Sequence, residues 1–207
     1  MGETAFEVRT IPTPTGVSQE GPGVDEFFGI SRGFDLQENL NISFEVFKGD
    51  TAFKPRTWAF RVTPVINFNY LNVKERNVVN ISPEEGITRY RRDFALQEAF
   101  GEVKLFDVGP NYDFVSVRAG IQAFTSDFRG LIFRDNNLGI RAFGNWGRNR
   151  NQWNVAYFDQ LEKETNSELN LLQRREQKVF IANWYRQDTF VPGYTVTASF
   201  HWSRDES

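Results

Sequence analysis

The residues that could carry chemistry in this chain are few and scattered. His201 is the only histidine, and there is no cysteine. A structural zinc site takes about four nitrogen, sulfur or carboxylate ligands, and His201 has no second His or Cys to help complete one. A nucleophile–base pair would have to be built on that one imidazole. Its place in a Thr/Ser-rich alternating stretch reads instead as a wall position. Glu98 and Glu102 stand at i and i+4. On a strand they share a face, too far apart to share a proton, and Lys104 and Arg118 read as their counter-charges. Asp135, Asn136 and Asn137 run together but lack the glycine and later glutamate of a calcium loop, so they read as a turn. No P-loop, GxGxxG, GxSxG or HExxH pattern is present. No catalytic residue, metal or cofactor is expected, and the chain reads as a non-enzyme.

The elements that would position these side chains are strands. In 57–70, TWAFRVTPVINFNY, the even positions Trp58, Phe60, Val62, Pro64, Ile66, Phe68 and Tyr70 carry no charge. The odd positions are mostly polar and include Arg61. A period of two sustained this long is a β-strand signal. Strands of soluble domains usually run about 5–6 residues, whereas a bilayer-crossing strand needs roughly 9–11. The same alternation recurs at 35–48, at 113–124 and at 194–202 (Tyr194, Val196, Ala198, Phe200 and Trp202 against Thr195, Thr197, Ser199 and His201). It is weaker at 93–106, whose first half has helical spacing, and at 138–145, 152–159 and 178–187. About eight long strands are expected, paired in sequence. Short turns at 48–56, 107–112, 147–151 and 188–193 alternate with long connections at 72–92, 125–137 and 160–177. Residues 1–34, rich in Gly, Pro, Thr and Glu, read as an extended, mobile lead-in to strands over 35–207. The charged run 160–177 reads as a solvated loop carrying a helical turn. Pro64 inside its strand removes a ladder donor and predicts a local irregularity.

Composition narrows the class. The chain has 207 residues, with 24 basic against 27 acidic and a net charge of −3. Both signs are interspersed, so no nucleic-acid partner is expected. Aromatics make up 15% of the chain, led by 21 Phe, yet the mean hydropathy is −0.50. No apolar run approaches the length of a transmembrane helix. That combination leaves room for a transmembrane barrel, where apolar and polar residues alternate.

The up-and-down strands, the aromatics near strand ends and the phrases VSVRAGIQAF (115–124) and YTVTASFHW (194–202) resemble the porin-like β-barrels of Gram-negative outer membranes. That resemblance implies an all-β antiparallel meander forming a transmembrane β-barrel or part of one. It implies Arg61, Glu98, Glu102, Lys104, Arg118 and Arg141 facing the lumen, and an interfacial girdle of Trp58, Tyr70, Tyr157, Tyr185, Tyr194 and Trp202. The implied partners are outer-membrane lipid and lipopolysaccharide, small polar solutes passing by diffusion, and remaining barrel strands or further copies of the chain. A signal peptide is absent from the sequence and is expected to have been removed. The chain ends on charged residues where complete barrels commonly end on an aromatic, which suggests the N-terminal portion of a larger barrel. Eight strands alone would enclose side chains, not a channel. Two rivals remain: a soluble sandwich or jelly-roll module binding carbohydrate through Trp and Tyr, and an outer-membrane hydrolase. The first predicts short strands, each with one buried face.

Overall fold

The computed structural model describes residues 3–9, 29–49, 55–75, 88–164 and 167–206. The protein is all-β, an open antiparallel meander. Among the described residues the strands are β1 (Glu3–Arg9), β2 (Gly29–Asn41), β3 (Phe44–Lys48), β4 (Trp58–Glu75), β5 (Thr88–Asp107), β6 (Phe114–Thr125), β7 (Arg134–Trp146), β8 (Asn151–Lys163), β9 (Asn170–Arg186) and β10 (Val196–Asp205). They fall into two compact units. The first comprises Met1–Ile42, Val65–Ala95 and Thr165–Glu168; the second comprises Ser43–Pro64, Leu96–Glu164 and Leu169–Ser207. In the first unit β2 lies between β1 and β4. In the second, β3 pairs with β4, and β5 to β10 pair in sequence.

Several boundaries differ from those read off the sequence. The single strand expected at 35–48 is two. β2 pairs with β4 from Val65 onward, and β3 pairs with β4 up to Val62. Thr63 and Pro64 sit between these two ladders, opposite the break at Ile42–Ser43. Pro64, which has no N–H to give a ladder, therefore falls at the gap on the β2/β3 side of β4. The stretch at 93–106 is strand throughout, part of the 20-residue β5. Within 1–34, Glu3–Arg9 is a strand laid along 35–41 of β2; residues 10–28 lie outside the described set, as do 76–87 of the expected 72–92 connection. The connection at 125–137 contracts to 126–133 and that at 160–177 to 164–169.

The charged run is thus strand at 160–163 and 170–177, against its composition. β8 and β9 stay paired through two register shifts, at Leu161↔Arg174 and Lys163↔Asn170. Side-chain amides cover the gaps. The Leu161 N–H donates to Asn137 Oδ1 at 2.9 Å. Asn170 Nδ2 donates to the Leu96 carbonyl at 3.2 Å. Lys163 Nζ donates to Asp135 Oδ1 at 2.6 Å and to Asn170 Oδ1 at 2.5 Å. Asp135–Asn137 therefore belong to β7, not to a turn, and a lysine ammonium supplies the cation beside Asp135.

The faces of the strands are inverted relative to a soluble sheet. In β4 the polar set is covered: Asn67 is 0% exposed, and Thr63 and Asn69 are buried. The apolar set is open: Phe68 is 38% exposed, and Trp58, Phe60 and Ile66 are exposed with it. Asn67 Nδ2 donates to Asn39 Oδ1 on the neighbouring β2 at 2.6 Å. The second unit repeats the inversion. Val103, Leu105, Ile140, Val155, Tyr157, Phe200 and Trp202 are exposed on the apolar face, while Ser116, Gln122, Asn137 and Asn154 are buried on the polar one.

Gly139 is one of the close approaches between strands on the polar face of the second unit. Gly139 pairs with Phe158. A Cβ on Gly139 would stand 2.4 Å from the Tyr157 carbonyl oxygen and 2.5 Å from Phe158 Cδ1. Gly139→Ala is expected to cost about 1–3 kcal/mol by overpacking. Gly101→Ala, whose Cβ meets nothing within 4 Å, is expected to be near neutral. Equal urea midpoints for the two variants would contradict the packing described.

Candidate functional site

The polar face of the second unit carries a transverse band. Cross-strand register brings Glu102 of β5 opposite Arg118 of β6, and Arg118 opposite Arg141 of β7. It also brings Asn154 of β8 opposite Asn183 of β9, and Asn183 opposite Ser199 of β10. Hydrogen bonds join the members. Arg118 Nε donates to Glu102 Oε2 at 2.8 Å, and Arg141 Nε donates to Asn154 Oδ1 at 2.6 Å. Asn154 Nδ2 donates to Asn183 Oδ1 at 2.8 Å. Upstream, Arg61 of β4 lies 3.1 Å from Glu98 Oε2, which also accepts from Thr63 Oγ1 at 3.2 Å.

Of the residues expected to face a lumen, Arg61, Glu98, Glu102, Arg118 and Arg141 share one polar face, and Lys104, opposite Ser116, lies on it too. Glu98 and Glu102 do not form a dyad, since each is taken by its own arginine. Lys104 is not their counter-charge; its Nζ bonds Asp107 Oδ1 at 2.8 Å. Aromatic rings space the guanidinium groups. Arg118 lies 4.4 Å from the Phe100 centroid, and Arg141 lies 4.6 Å from Phe143 and 5.1 Å from Phe124. These are cation–π distances, and they let half-buried arginines stand on an apolar wall.

Arg118 and Arg141 are like charges directly opposite, a destabilising arrangement by itself. Glu102 offsets it. Glu102→Ala is therefore expected to destabilise by about 1.5–3 kcal/mol, the worth of hydrogen bonds to a charged group. Adding Arg118→Ala should recover part of that loss, because the two positions are coupled. A double variant no more stable than Glu102→Ala alone would refute the coupling.

The connection between β6 and β7 folds onto this face. Ser126 Oγ is 2.9 Å from His201 Nε2 on β10. Asp127 Oδ2 accepts from Asn183 Nδ2 at 2.6 Å and from the Ser199 hydroxyl. Phe133 stacks on Phe158 with centroids 5.6 Å apart. Beneath it lie Phe124, Ala156, Val179 and Ile181, an apolar patch on the polar face that 126–133 covers. His201 is thus a tether for this segment, and its Nδ1 has no partner within the described residues. A Ser–His contact without an acid on Nδ1 lacks the group that would orient the ring for catalysis.

Beside the tethered segment lies a cleft of about 430 Å³, lined among others by Ser126, Asp127, Arg141, Phe143, Asn154 and Tyr185. A second cleft of about 440 Å³ lies along Arg61, Glu98, Glu102 and Arg118. Tyr185 corrects the expected girdle. It sits opposite Gln152 and Thr197, on the polar face. Proximity to a strand end suggested a girdle place, but the period of two puts it with Asn183 and Ile181. Trp58, Tyr157, Tyr194 and Trp202 are exposed. Tyr70 is half-buried against Phe34, at 6.0 Å between centroids. The roles of Ser126, Asp127 and Phe133 are not legible in the sequence, because an irregular connection carries no periodic signal. Asp113 was missed likewise: buried, it accepts from the Arg148 and Asn149 N–H groups at 2.9 and 2.8 Å and ties the turn before β6 to the turn before β8.

No protein-family model matches the chain, and comparison with curated proteins and with solved structures finds no similar protein.

Proposed function

We propose that the chain is wall and lining of an outer-membrane β-barrel, a porin-like channel that passes small polar solutes by diffusion. The inversion of faces carries this reading. Water would leave Phe60, Val103, Ile140, Phe200 and Trp202 exposed at roughly 25 cal/mol per Å² of apolar surface, whereas lipid solvates such a face. The opposite face holds the charges, as a water-filled lumen requires, and its mixed signs would set what passes. The tethered 126–133 segment narrows that lumen in this reading. A sandwich module would instead bury its apolar face against a second sheet.

The test is purification and reconstitution. The chain should require detergent, migrate differently on gels before and after boiling, and produce discrete conductance steps in planar bilayers. A monodisperse protein free of detergent, with heat-independent mobility and no conductance, would overturn the proposal.

A further inference from the structure

We propose that the cleft at Arg141 is a subsite for a small hydroxylated monocarboxylate, of the size and chemistry of a sugar acid. This rests on the channel reading and names the solute class for it. Two arginines face each other across β6 and β7, and they are not equivalent. Arg118 is neutralised by Glu102. Among the described residues Arg141 has no carboxylate within ion-pair distance, and its one hydrogen bond goes to the neutral Asn154. A guanidinium carries five N–H donors, so four remain, including the two-nitrogen edge that matches a carboxylate in bidentate fashion. The rings of Phe143 and Phe124, with centroids 4.6 and 5.1 Å from the guanidinium carbon, pack against the group and take up none of those donors.

The rest of the lining sets the other features of the ligand. Among the described residues Asp127 is the one acidic residue bordering the cleft. Its Oδ2 is taken by Asn183 and Ser199, but its charge remains and disfavours a ligand with two negative charges. Asn145, Asn149, Gln152 and Tyr185 add amides and a phenol, which donate to and accept from hydroxyl groups. A volume of about 430 Å³ lies within the range of small-molecule sites and admits a six-carbon acid. An unpaired cation among amides and rings therefore fits D-gluconate better than neutral D-glucose, and better than the dianion D-glucarate.

The test is equilibrium binding to the whole chain in detergent micelles, read by calorimetry with D-gluconate, D-glucose, D-glucarate and acetate. Gluconate should bind at least about tenfold more tightly than each of the other three, tenfold being about 1.4 kcal/mol. Arg141→Gln should lose that preference. Arg141→Lys, which keeps the charge but not the fork, should lose most of it, and Arg134→Gln on the same strand should keep it. Equal binding of gluconate and glucose by the unmodified chain, or no binding of either, overturns the inference whether or not the variants fold. Conductance without gluconate binding would leave the channel standing and remove the subsite. Gluconate binding without conductance would keep the subsite and remove the channel.

Discussion

Ile140→Arg is expected to abolish efficient insertion of the chain into lipid bilayers. Ile140 stands at the middle of β7, is 54% exposed, and points away from the polar band. In a soluble protein an exposed isoleucine is replaced by arginine at a change of about 0.5 kcal/mol or less. On the lipid face of a transmembrane barrel, arginine near the midplane costs about 2–4 kcal/mol. The two environments therefore predict outcomes that differ several-fold in energy for one substitution. The companion variant is Thr197→Arg, on the polar face of β10 opposite Tyr185. Arginine there meets water and the amides of neighbouring strands, so the loss should be about 1 kcal/mol or less. Folding yield into liposomes, scored by the heat shift in gel mobility, separates the two. If Ile140→Arg folds as well as Thr197→Arg, the exposed apolar face does not meet lipid.

Phe158→Ala should be the most damaging truncation on the polar face. Phe158 is 0% exposed. Its ring lies 5.3 Å from Phe124 and 5.6 Å from Phe133, and it fills the space above Gly139. Removing a buried phenylalanine side chain costs about 3–5 kcal/mol, through lost transfer energy and the cavity left behind. The loss has a second, local consequence. Phe133 is the apolar anchor of 126–133, and Phe158 is the surface it stacks on. The polar tethers, Ser126 to His201 and Asp127 to Asn183 and Ser199, are modest bonds near water. Trypsin cleavage after Arg129 or Arg134 should therefore speed up in Phe158→Ala by more than in Asp127→Ala. An unchanged urea midpoint together with unchanged cleavage would show that the aromatic stack does not hold the segment.

Particular residues show where sequence reading succeeds and where it stops. The division of 57–70 into an apolar and a polar face was legible, because side-chain direction on a strand alternates with a period of two whatever the strand pairs with; which face is covered was not. That local rule put Arg61, Arg118 and Arg141 on a polar face and Phe68 and Phe200 on an apolar one. The irregularity at Pro64 was legible too, since a missing N–H is a local fact. Its resolution as the junction between β2 and β3 was not. The first half of β9, 170–177, failed for the opposite reason, while 178–187 was legible as strand. Its charges spoke for a loop, but pairing with β8 and a bond from Asn170 to a carbonyl of β5, distant in sequence, make it a strand.

The candidate site divides along the same line. By itself the sequence determined an all-β chain of long alternating strands and the residue types available to each face, because those depend on local geometry and composition. Only the tertiary structure decided which charges meet. Glu102 is spent on Arg118 and Glu98 on Arg61, while Arg141, directly opposite Arg118, has no ion-paired acid among the described residues. Pairing depends on cross-strand register, which a single residue's slip would change. The fold of 126–133 onto Phe158 and His201 is also tertiary, since contacts between residues 75 positions apart leave no trace in the spacing of either segment.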